Sequence, residues 1–157
     1  MWFGAQLRIL NGGCGDMFKL LNQWQQQRQA HKHLLAFLDE IEKNLELFYV
    51  IDQRQFVIRG FVLEMWDKVK GIDTIKRHES IAAYANALAD FNQAFQSWKD
   101  YERWYTSDTQ HKTPDNARKL HTLKNGLDKI LKGLEAIIIP AGQALEKEML
   151  GLGLLKN

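Results

Sequence analysis

Five histidines, one cysteine and nineteen acidic residues are the groups in this 157-residue chain from which a metal site or a reaction could be built. Di-iron sites in helical bundles draw on Glu-x-x-His pairs that face inward, and the chain contains none. It has no His-x-x-x-His pair either. His31 and His33 stand two apart, so a helix turns them to different sides. Asp108-Thr109-Gln110-His111 has ligand-like spacing but lies in a polar stretch that reads as a solvated loop. Cys14 sits among Gly12, Gly13 and Gly15 with no basic neighbour to favour its thiolate, and reads as an exposed thiol rather than a nucleophile. A lone cysteine forms no disulfide within the chain, and the reducing cytosol is the default compartment. No glycine-rich loop precedes a lysine, so no phosphate cradle is legible. The expectation is a chain with no metal, no cofactor and a cytoplasmic location.

One hexad points elsewhere. Arg28-Gln29-Ala30-His31-Lys32-His33 sets four residues between an arginine and a histidine, with a polar residue after the arginine. It resembles the Arg-to-His signature of the HEPN family, helical bundles of about this length of which many members are metal-independent RNases. The resemblance covers the hexad and the bundle class. It departs from the family in position, because the family's motif lies late in the chain and Arg28 lies early. It implies that Arg28 and His33 converge in a cleft, usually across a dimer interface, close enough to flank a phosphate. Arg103 and His111 stand too far apart for the same signature.

Three further groups suit binding. Trp98, Tyr101, Trp104 and Tyr105, interleaved with Lys99 and Arg103, put four large rings into eight positions. They cannot all share one core stripe. They read as a partner interface or stacking surface, or as a wide core end closed by Trp66 or Phe56. Arg118, His121, Asn125, Lys129 and Lys132 form a basic strip opposite the leucines of the last helix. That strip is a nucleic-acid contact face or an ordinary solvated face. Asp115 and Asp128 dilute it, and a net charge of +2 gives nucleic acid weak support. Asp52-Gln53-Arg54-Gln55, between two apolar runs, reads as a helix corner with Asp52 as its cap, or as a buried ion pair or small-ligand site.

Long helices must carry these groups. Hydrophobic residues make up 45% of the chain and only two prolines occur, enough for a core without staples and poorly suited to a turn-rich β fold. From Thr113 to Leu152 one stripe recurs every three or four residues, from Leu120 through Leu127, Leu134 and Leu145 to Met149. Thr113 caps this helix, Pro114 opens it and Pro140 kinks it without breaking it. A first helix is expected from Met17 to Tyr49, N-capped by Asp16, with Phe18, Leu21, Trp24 and then Leu34 to Phe48 on its apolar face. Between those groups Gln25 to His33 has no apolar face. That stretch either projects past the bundle or meets a partner. A shorter helix is expected over 54–70, ended by Gly71, with a β-hairpin as the alternative, and a long one over 74–107.

The fold class expected is therefore all-α: an up-and-down antiparallel bundle of three long helices and one shorter helix. It comprises one domain over 17–157 with 1–16 as a flexible N-terminal arm. The function expected is non-catalytic, through self-association or another helical protein. The alternatives are the HEPN-like RNase and weak peripheral membrane attachment through residues 1–10. No run approaches the roughly 20 apolar residues of a membrane span.

Overall fold

The computed structural model describes the backbone of residues 2–54, 57 and 59–156, and the side chains of those from residue 15 onward. The regular elements are α1 (Trp2–Arg54), α2 (Trp66–Val69), α3 (Asp73–Lys76), α4 (Glu79–Ser107), a 3-10 turn (Thr109–His111) and α5 (Pro114–Gly151). The three long helices pack against one another, α4 along α5 and α5 along α1, so the chain is the all-α bundle its periodicity predicts.

Cross-helix contacts fix the directions. The Tyr49 hydroxyl donates to Glu135 Oε1 at 3.1 Å, and Gly142 lies against Ile41. α1 and α5 therefore run antiparallel. His78 Nε2 lies 2.8 Å from Glu148 Oε1 and the Tyr101 hydroxyl donates to Asn116 Oδ1 at 3.3 Å, so α4 and α5 also run antiparallel. α1 and α4 then point the same way, and the chain between them must travel back along the bundle.

That return is not the helix expected over 54–70. Residues 59–63 are non-helical, and only the single turns α2 and α3 follow before α4. An extended strap covers about 3.3 Å per residue against 1.5 Å for a helix, so few residues suffice to return. Its backbone then needs partners that a helix would supply internally. Side chains supply them. Asn44 of α1 accepts from the Val62 N–H at 2.9 Å and donates to the Val62 carbonyl at 2.7 Å. Asn92 of α4 accepts from the Phe61 N–H at 2.7 Å and donates to the Phe61 carbonyl at 2.8 Å. Two amide side chains thus stand in for neighbouring strands on consecutive residues. The strap also buries Val57 and Phe61, the latter edge-on to Phe91 with ring centroids 5.0 Å apart. Phe56 and Ile58, part of the hairpin reading, lie outside the described residues.

α1 also departs from expectation at its start. Its helical backbone begins at Trp2 rather than Met17 and runs through Gly12, Gly13 and Gly15. Within the bundle it buries Leu34, Phe37, Ile41, Asn44, Phe48 and Ile51, the three-four spacing of a packed face. From Gly15 to Gln29 every residue is exposed. Phe18, Leu21 and Trp24, expected on the core face, are 61%, 48% and 56% exposed. The polar run Gln25 to His33 marks where the helix leaves the bundle. Continuing a helix already nucleated in the core avoids the cost of a first turn, so it extends without packing.

α5 begins as predicted, with the Thr113 side chain accepting from the Asn116 N–H and Pro114 in the first turn. It runs unbroken across Pro140. Gly153, at φ 73°, ends it and turns Leu154 and Leu155 back against the core.

Candidate interaction surface

The structure separates Arg28 and His33. Five positions apart on one helix, they are rotated by about 140°. The Arg28 guanidinium lies over the Trp24 ring, 5.3 Å from its centroid, and His33 Nε2 lies 3.1 Å from Gln29 Nε2. Within one chain these contacts direct the two side chains to different neighbours.

The aromatic group at the far end of α4 folds onto its own hairpin. Trp104 stacks on His111 with centroids 4.1 Å apart, and His111 Nδ1 lies 2.8 Å from the Trp104 carbonyl. Tyr101 packs against Trp104 at 5.3 Å. Lysines roof two of the rings: Lys119 Nζ sits 4.9 Å from Tyr101, and Lys124 Nζ sits 5.6 Å from Trp98. Trp98, Tyr101 and Tyr105 are half-buried, while Arg103 and Trp104 are exposed. Trp66 does not close this end; it packs on Phe37 at 6.2 Å, far down α1. The basic strip Arg118, His121, Asn125, Lys129 and Lys132 is exposed along α5, with Arg118 Nη2 2.6 Å from Asp115 Oδ1.

Two buried polar residues of α1, Glu40 and Asn44, are engaged by the strap. The Asn44 amide also donates to the Tyr84 hydroxyl at 2.7 Å. Burial drives that phenol well above the ordinary tyrosine range. Glu40 Oε2 accepts from the Met65 N–H at 3.0 Å, while Oε1 is buried with no hydrogen-bond partner. Burial raises the Glu40 pKa, and the Met65 hydrogen bond partly offsets it. At the lower end, the hydrogen bond from His78 holds Glu148 below the usual carboxylate range.

What remains open is the N-terminal reach of α1. Met17, Leu20, Leu21 and Trp24 fall within about a third of a turn at 100° per residue, with Phe18 beside them, and all five are exposed. Trp24 and Phe37, thirteen positions apart, are rotated by about 140°, so this stripe is not a continuation of the packed face. The polar gap was the sequence signal for it, because an apolar group cut off from the core stripe by two turns has no reason to share its phase. The side chains of residues 2–14, which bear on the membrane and thiol readings, lie outside the described residues. Among the described residues, no three His, Cys, Asp or Glu side chains group closely enough to hold a metal ion, and no helix is long and apolar enough to cross a membrane. Comparison with protein-family models, with curated proteins and with solved structures finds no match.

Proposed function

We propose that the chain is a helical docking module that works by binding another polypeptide through the N-terminal reach of α1. One observation carries this reading: five large apolar side chains, Met17 to Trp24, stand exposed on a helix that has left its own bundle. The core behind it is closed, with Leu34, Phe37, Leu134, Ile138 and Leu145 at 1% exposure or less, so the stripe is not needed to complete the fold. Exposed contiguous apolar surface of this kind marks contact sites, and an amphipathic helix presenting anchors three and four apart is a standard way to fill a partner's groove or pair with a partner helix.

A photo-cross-linking residue placed at Phe18, and separately at Gln23 on the outer side of the same helix, tests it in cells. Adducts identified by mass spectrometry should form from position 18 and not from position 23. Equal labelling from both, or none from either, would overturn the docking role.

A further inference from the structure

We infer that the groove between α1 and α5 is a second docking face, independent of the stripe at Met17 to Trp24, and that its occupant is a cationic amphipathic helix of another polypeptide. Leu35, Leu38, Glu42, Leu45 and Tyr49 follow one another at three- and four-residue spacing. At 100° per residue they fall within about 80° of one another. Leu38, Glu42 and Leu45 line a depression of about 170 Å³ together with Ile139, Gly142 and Glu146 of α5. Its floor is finished core, with Ile41 and Ile138 buried. Leu35 and Tyr49 continue the apolar lining along α1 and are exposed. Pockets for drug-sized ligands hold about 300–1,000 Å³. This depression is smaller, and takes a side chain or two from a helix laid along it, the mode in which anchors three and four apart enter a groove.

Charge names the occupant. Glu42 and Glu46 on α1 and Glu135 and Glu146 on α5 border the groove, and all four are exposed. None has a salt-bridge partner among the described residues. Lys43, between the first two in sequence, is turned to Asp39 at 2.6 Å. The chain as a whole carries +2, so this acidity is local to the groove. Like charges round an apolar lining repel nucleic-acid phosphates and the anionic face of a membrane. They attract cations that flank a partner's apolar anchors, which favours both encounter and specificity. The chain's own described faces do not supply that pattern. The basic strip of α5 lies opposite its leucines, Lys19 lies on the side of α1 away from Met17, Leu21 and Trp24, and Arg28 is folded over Trp24. The matching helix therefore belongs to a different polypeptide.

Fluorescence anisotropy on the full chain tests this with a labelled lysine–leucine peptide whose leucines recur every three or four residues. A second peptide of the same composition, with leucine and lysine alternating, carries the same charge and no helical apolar face. The expected result is that the chain binds the first peptide in preference to the second. Glu42→Lys combined with Glu146→Lys should weaken that binding about tenfold or more. Both positions are exposed, so the thermal unfolding of the bundle should not change. If that variant does unfold early, Glu42→Gln with Glu146→Gln removes the charge at nearly constant shape and should weaken binding in the same direction. Leu21→Glu, on the N-terminal reach, should leave binding as it is. Equal binding of the two peptides, or binding indifferent to the groove variants, would overturn the inference. If binding is lost on Leu21→Glu and kept in the groove variants, the peptide sits on the stripe at Met17 to Trp24: the groove falls and the docking role proposed above stands. If sedimentation shows a native dimer that the groove variants dissociate, the occupant is a second copy and the foreign partner falls.

Discussion

Replacing Gly60 with alanine isolates the device that holds the strap. A Cβ built at Gly60 would lie 2.6 Å from Asn92 Oδ1 and 3.2 Å from its Cγ, far inside contact distance. The Asn92 side chain can swing away, but only by giving up both hydrogen bonds to Phe61. At about 0.5–1.5 kcal/mol each, that loss is about 1–3 kcal/mol. Against it stands the reduced freedom of the unfolded chain, about 0.4–1 kcal/mol in favour of alanine where the backbone accepts it. Gly60→Ala should therefore lower stability by roughly 1–2 kcal/mol in the native background. In an Asn92→Ala background the nearest remaining atom is the Asn92 Cβ at 3.8 Å, an ordinary contact, and the same substitution should be neutral or slightly stabilising. Urea denaturation of the four proteins of this cycle, followed by far-ultraviolet circular dichroism, yields the coupling energy directly. If Gly60→Ala costs the same in both backgrounds, the clamp is not what demands glycine and the reasoning fails.

Two pH experiments follow from the shifted carboxyls. Because burial raises the folded-state pKa of Glu40, the folded chain favours its protonated form. Stability from this group is present in acid and lost as pH rises through the raised value. Glu40→Gln should therefore unfold at a higher temperature than the native chain at alkaline pH, with the gap closing on acidification. A constant difference across pH would contradict the assignment. Glu148 has the opposite sign: held low by His78, it contributes stability above the ordinary carboxylate range that disappears as pH falls through its depressed value. Glu148→Gln should cost stability near neutral pH and little in strong acid, read by thermal melts over that range.

Periodicity made the long helices legible. Leu127, Leu134, Ile138, Ala141, Leu145 and Met149 repeat at helical spacing and are all buried, and the Thr113 cap and Pro114 start required nothing beyond the sequence. The strap was not legible, for a physical reason. Phe61, Val62, Met65 and Trp66 keep helical spacing, and what holds the first two extended comes from Asn44 and Asn92, polar residues 18 and 31 positions away. A local pattern cannot report a backbone satisfied by distant side chains. The same limit applied to α1. Phe18, Leu21 and Trp24 carry the spacing of a core face, and spacing does not reveal whether the partner lies in the same chain. The gap at Gln25 to His33 did mark the exit from the bundle. The rings at Trp98 to Tyr105 were recognisable as a cluster, but their lysine roofs come from α5, across the hairpin.

Amide hydrogen exchange along α1 tests the docking role most directly. Segment 34–48 is packed and should be protected at every protein concentration. Segment 15–24, helical but uncovered, should exchange fast in dilute protein and gain protection when its stripe is occupied, while 34–48 stays unchanged. Protection of 15–24 equal to that of 34–48 in dilute, monomeric protein would show that the chain covers this stripe by itself, and the surface proposed for docking would not exist.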